Sequence, residues 1–245
     1  MKRYFIFLLI LSLFQIPAQA QFGKTLGKLK DKADNVLSGG NPLSDEEVGN
    51  ALKEALEVGV GEAVTSLNQK HGYFASPYKI LVPEEAQQVV SKLKMVPGFQ
   101  NVEQDLIDKM NEAAEIAAAK AKPIFLDAIT GLTFKDAMNI LMGEDDAATR
   151  YLEGTTKSAL MAAFLPVIQS SLDEVNAREY WRKAVNTYNK LPLTKDVNPE
   201  LDEHVTDKAL VGMFGKVEEK EAALRDNPAL RQTELLRKVF AKQDN

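Results

Sequence analysis

From Ser44 to the end of the chain, apolar residues recur every three or four positions, the spacing of one face of an α-helix. Val48, Leu52, Ala55, Leu56 and Val60 form one stripe that runs to about Asn68. Val102, Leu106, Ile107, Met110, Ala113, Ala114 and Ala117 form a second, from Asn101 to about Ala121, whose Ala-rich half predicts a close helix–helix contact. Leu210, Met213, Phe214, Val217 and Leu224 form a third. Shorter stripes cover Ile124–Ile129, Ala159–Val175 with a kink at Pro166, Ala177–Leu191 with Tyr180, Trp181, Val185 and Tyr188, and finally Leu235, Leu236, Val239 and Phe240.

Start and stop signals divide these stripes. Ser44-Asp45-Glu46-Glu47 is a capping box, in which the Ser oxygen accepts a helix N–H and Glu47 reaches back. Pro83-Glu84-Glu85 opens a helix that Pro97-Gly98 ends. Pro123 kinks or restarts a helix. Thr133 to Asp136 is a second cap, for a helix ending at Gly143, and Asp226-Asn227-Pro228 reads as stop, cap and new start. Gly59 and Gly61 within the first stripe would let another helix approach closely. Tyr78–Val82 is the one plausible strand, too short to build a sheet, and no Asn-Gly hairpin signal occurs. The pattern predicts an all-α fold: a single multi-helix globular domain of about eight to ten helices.

The N-terminal part reads differently. Met1-Lys2-Arg3, an apolar run from Tyr4 to Ile16 and then Pro17-Ala18-Gln19-Ala20 have the three parts of a secretory signal. The run is too short for a spanning helix, which needs about 20 apolar residues. Residues 1–20 are therefore expected to be a signal peptide. Residues 21–43 are read as a short amphipathic helix and a Gly/Pro linker, and residues 44–245 as the helical domain. In the amphipathic helix Phe22, Leu26, Leu29, Ala33, Val36 and Leu37 sit among Lys24, Lys28, Lys30 and Lys32. It is expected to pack on the body or fray, with weak membrane-surface contact by residues 22–37 as the alternative.

Composition narrows the chemistry. Without Lys2 and Arg3 the chain carries 28 basic against 35 acidic residues, a net charge of −7. That charge argues against nucleic acid as a partner. With no Cys and only His71 and His204, neither a catalytic thiol, a His-based triad nor a multi-His metal site is expected, and no cofactor or metal is predicted. Gly23-Lys24-Thr25 lacks the upstream Gly of a phosphate-binding loop, and Gly59-Val60-Gly61 lacks a third Gly and lies within a helix. Ser76-Pro77-Tyr78-Lys79 matches the Ser-x-x-Lys of penicillin-recognising enzymes, but the extended segment after it would carry the Lys away from the Ser.

Carboxylates remain. Glu221 falls in an apolar seam between Val217 and Leu224, so it needs a partner; Arg225 stands one turn on and Arg231 follows the cap. The pair is read as a structural ion pair, or else as a polar site under the last two helices. Asn111 and Glu115 lie one turn apart, with Asp127 beyond Pro123 and Asp136 at the next cap. Glu115 and Asp127 could assemble a two-carboxylate acid/base site; capping and interhelix hydrogen bonding is the plainer reading.

Several ordered motifs resemble one bacterial family: Asn111-Glu112-Ala113-Ala114-Glu115, Lys122-Pro123-Ile124-Phe125, Asp136 to Gly143, Ala147 to Leu152, and Arg225 to Thr233 running on to Lys238-Val239-Phe240. The chain resembles the family catalogued as domain of unknown function 4197, from about Glu46 to Phe240. The resemblance implies an exported, all-helical protein and supplies no catalytic residue. Glu112 stands where Arg is expected, and His71 where Gly is expected.

The expectation is a non-catalytic, exported binding or interaction protein of the periplasm or cell envelope. It would take an unknown protein, a peptide or a lipid-like ligand in a groove between helices. A carboxylate-dependent hydrolase and a purely structural envelope protein are the alternatives. Asn111, Glu115, Asp127, Asp136, Glu221, Arg225 and Arg231 are the candidate binding residues.

Overall fold

The computed structural model describes residues 44–95, 97, 99–190, 196–231 and 233–241. The expected signal peptide and N-terminal amphipathic helix lie outside the described residues. The helices are α1 (Asp45–Asn68), α2 (Gln87–Leu93), α3 (Val102–Ala118), α4 (Ala121–Thr130), α5 (Phe134–Leu141), α6 (Ala147–Asp173), α7 (Ala177–Tyr188), α8 (Leu201–Asp226) and α9 (Glu234–Phe240). Short 3-10 turns at Glu84–Ala86 and Pro228–Leu230 precede α2 and α9. The fold is all-α, as the periodicity requires.

Both predicted capping boxes form. Ser44 Oγ accepts from the Glu47 amide at 3.2 Å while Glu47 accepts from the Ser44 amide at 2.7 Å. Thr133 and Asp136 repeat the arrangement at the start of α5. Asn227 caps the Pro228 turn by accepting from the Ala229 amide. Pro123 falls in the first turn of α4, and α3 ends at Ala118, because its ring excludes the helical carbonyl four residues back.

Helix α6 packs on both α3 and α8, and α1 packs on α8, α4 and α5. Ala113, Ala114, Ala117 and Ala118 are fully buried, so the small side chains of α3 let its neighbours come close. Phe125 and Phe214 meet edge to face at 5.9 Å in the core.

Two local expectations are corrected. Tyr78 lies in a turn and the residues from Lys79 to Val82 pair with no strand; no strand occurs among the described residues. Of the two glycines expected to admit a neighbour, Gly59 faces the Lys220 stem, whereas Gly61 has open space around it. The tight approach lies on α8 instead. A Cβ on Gly212 would fall 2.8 Å from the Tyr73 ring, and one on Gly215 would fall 2.5 Å from the Tyr78 ring. These glycines let the loop after α1 lie directly on α8.

Candidate binding groove

The predicted polar residues organise backbone. The loop after α1 turns sharply at His71, whose φ is 63°. Its amides converge on Glu115: His71 N donates to Oε2 at 3.0 Å, while Tyr73 N and Phe74 N donate to Oε1 at 3.2 and 3.3 Å. That left-handed φ is one that Gly adopts at no steric cost and His does not. Burial, and then the Glu115 carboxylate nearby, push the Tyr73 phenol above its usual range, so it stays a donor, to Ala209 O at 2.8 Å. One turn before Glu115, Asn111 grips Ile80 at both ends, accepting from its amide and donating to its carbonyl, each at 2.9 Å. The side-chain amide thus stands in for the strand partner that Ile80 lacks. Glu112, the charge reversal beside Asn111, points outward and pairs with Lys109 at 2.6 Å.

Glu221 and Arg225 form the expected ion pair at 2.8 Å, each side chain 7% exposed. Glu221 also accepts from Ala148 N at 2.9 Å, Thr149 N at 2.8 Å and Thr149 Oγ1 at 2.8 Å. The N-cap residue of α6, Asp146, makes no side-chain cap bond. A carboxylate from α8 therefore caps α6 from outside, where N–H groups and helix dipole favour negative charge. Arg225 spends a further N–H on Ile140 O at 3.0 Å. Arg231, 1% exposed, donates to Leu224 O at 3.2 Å and Arg225 O at 2.7 Å, the last carbonyls of α8. A cavity of about 30 Å³ beside Glu221 and Arg225 has room for a water or two.

Asp136 stays at its cap, and its Thr133 hydroxyl and amide bonds hold its carboxyl below the usual range. Asp127 is exposed on α4, whereas both oxygens of Glu115 are taken by amides in the interior. Ser76 and Lys79 part as expected: Ser76 Oγ donates to Tyr73 O, and Lys79 Nζ lies 3.7 Å from the centre of the Phe74 ring.

The large open site lies elsewhere, and none of the seven candidate residues lines it. A groove of about 810 Å³ runs between α2, α3 and α7. Val89 and Leu93 come from α2, Val102 and Leu106 from α3, and Tyr180, Trp181, Ala184 and Tyr188 from α7, with Phe99 and Val175 completing it. Phe99 and Tyr180 meet edge to face at 6.3 Å. Along α7 the lining extends from Ala177 to Tyr188, about 16 Å at the rise of an α-helix. Tyr180 and Val175 remain 57% and 42% exposed, so two large apolar residues of the lining face solvent. Trp181 is 2% exposed, and its buried indole N–H has no acceptor among the described residues. Periodicity had singled out Tyr180, Trp181 and Tyr188; that they face α2 and α3 across open space is a tertiary fact.

A helical scaffold held by buried polar contacts to its own backbone, with a separate apolar groove on one side, is the class of protein that the geometry defines. A family model described as Protein of unknown function (DUF4197) matches residues 42–241, and the chain belongs to that family. No curated protein and no solved structure matches it.

Proposed function

We propose that this chain is a non-catalytic, exported protein of the bacterial envelope that binds a lipid-like ligand in the groove between α2, α3 and α7. The observation that carries the reading is the groove itself: about 810 Å³, walled by aromatic and aliphatic side chains. That size and lining are those of small-molecule sites, and open apolar surface of this kind marks a contact site. The interior carboxylates bind backbone amides, so they support the scaffold rather than a reaction. No described helix is long and apolar enough to cross a membrane. The signal-like first 20 residues support export, and an exported chain that begins at Gln21 is the expected product.

Trp181 is the only tryptophan and lines the groove, so its fluorescence reports occupancy. Titration of the chain from Gln21 with a dodecyl amphiphile below its micelle concentration should give a saturable change in Trp181 emission. Ala184→Phe, which sets a ring into the groove, should weaken the change while leaving the fold intact by circular dichroism. Absence of any saturable response in the unaltered chain refutes the reading. The exposed Tyr180 and Val175 favour a second occupant, the apolar face of a partner's amphipathic helix.

A further inference from the structure

The charged residues of the groove lining fall into two groups. Lys109 pairs with Glu112 at 2.6 Å and Lys183 pairs with Glu179 at 2.5 Å, while Asp108 accepts from the neutral Gln104 amide at 2.7 Å and keeps its charge. Lys92 on α2 and Asp105 on α3 make neither an ion pair nor a side-chain hydrogen bond among the described residues. Both line the groove, and neither has an oppositely charged side chain within ion-pair distance among the described residues. Lys92 Nζ lies 5.2 Å from the centre of the Tyr188 ring, at one end of the lining of α7. Asp105 is in the first turn of α3, where it also complements the helix start. A cation and an anion thus stand on two different walls of one apolar groove without neutralising each other.

We propose that the groove's ligand is a single zwitterionic acyl amphiphile, with its anionic group at Lys92, its cationic group at Asp105 and its acyl chain along α7 past Trp181. This rests on the binding reading above and names its ligand class. A simple acid would satisfy Lys92 and leave Asp105 without a counter-charge, and a simple ammonium would do the reverse. A head of both signs satisfies both walls. An acyl chain in the groove displaces water around these charges and strengthens each attraction. The about 16 Å of lining on α7 accommodates an extended dodecyl chain.

The test uses three probes with one tail, each below its micelle concentration: dodecylphosphocholine, dodecyl phosphate and dodecylammonium. Binding to the chain from Gln21 is read from Trp181 emission and by calorimetry. The unaltered protein should bind the zwitterion tightest. Lys92→Gln should weaken the zwitterion and the phosphate by about two- to fivefold and leave the ammonium no weaker. Asp105→Asn should weaken the zwitterion and the ammonium by a similar factor and leave the phosphate no weaker. Equal affinity for all three probes, or variants that shift all three alike, overturns the zwitterion assignment while keeping an apolar groove. Association with dodecylphosphocholine-free phosphatidylcholine vesicles and with none of the monomers also overturns it. Failure of all three probes to bind, with no vesicle association, sinks the groove reading itself.

Discussion

Glu221→Gln is the sharpest test of how the scaffold is held. The substitution keeps shape and removes one acceptor oxygen and the charge. In the native chain Oε1 accepts from Ala148 N and from Arg225 Nε and Nη2, and Oε2 accepts from Thr149 N and Oγ1. Whichever way the new amide sits, its NH₂ faces at least two donors. Hydrogen bonds to charged groups contribute about 1.5–3 kcal/mol each, so two lost bonds cost about 3–6 kcal/mol. Independently, removing one member of a buried ion pair costs about 3–5 kcal/mol, because Arg225 is left with Ile140 O and no counter-charge. The two routes agree on about 3–5 kcal/mol. For a domain of this size that lowers Tm by about 6–20 °C. Urea unfolding followed by circular dichroism should show a lower midpoint with an unchanged slope. A second arm replaces Arg225 by Gln as well; the double variant should lose less than the sum of the singles, the sign of a coupled pair. A loss below about 1 kcal/mol for Glu221→Gln would refute the argument that α6 depends on a carboxylate from α8.

Glu115→Gln should destabilise by about 2–4 kcal/mol in the same assay, because one of the loop's amide clusters loses its acceptor while buried; an unchanged midpoint would contradict it. His71→Gly should stabilise by roughly 0.5–1 kcal/mol, since it relieves the left-handed φ of 63°, and a lower Tm would count against it. Gly72→Ala should be strongly destabilising, since its Cβ would fall 2.5 Å from the Leu67 and Ser66 carbonyl oxygens; normal melting would mean the loop moves freely. Asp136 has its folded pKa depressed below the ordinary value of 3.8 by the Thr133 hydroxyl and then the Thr133 amide. Its contribution is therefore present above that value and fades as pH falls through the folded pKa. Asp136→Asn should flatten the acid side of the stability profile, and identical profiles below about pH 4 would reject the linkage.

What the sequence displayed was whatever depends on near neighbours. Ser44 with Glu47, Thr133 with Asp136 and Glu221 with Arg225 sit three or four residues apart, so helix geometry alone brings them together. The residues that needed partners, Asn111, Glu115 and Arg231, were also legible, because a polar group beside an apolar stripe must be satisfied somewhere. Their partners were not, since Ile80, the loop at His71 and the last carbonyls of α8 are backbone, and a backbone amide leaves no trace in residue identity. The apolar stripes of α3 and α7, and the start and stop signals around α2, were visible one by one. The groove was not, because it consists of space between three segments whose relative placement no local pattern encodes. Gly212 and Gly215 were missed for the same reason: their neighbours, Tyr73 and Tyr78, belong to a loop far away in the chain.

Arg231 and Glu221 have a consequence for synthesis. The start of α6 waits for a side chain more than 70 positions downstream, and the end of α8 waits for one beyond its own last turn. A nascent polypeptide that has emerged only to the middle of α8 holds neither closure. Completion of the domain therefore waits for the segment from Glu221 to Arg231 to be present, and a message truncated before Arg231 should yield a product that proteases clear rather than a shortened but working molecule.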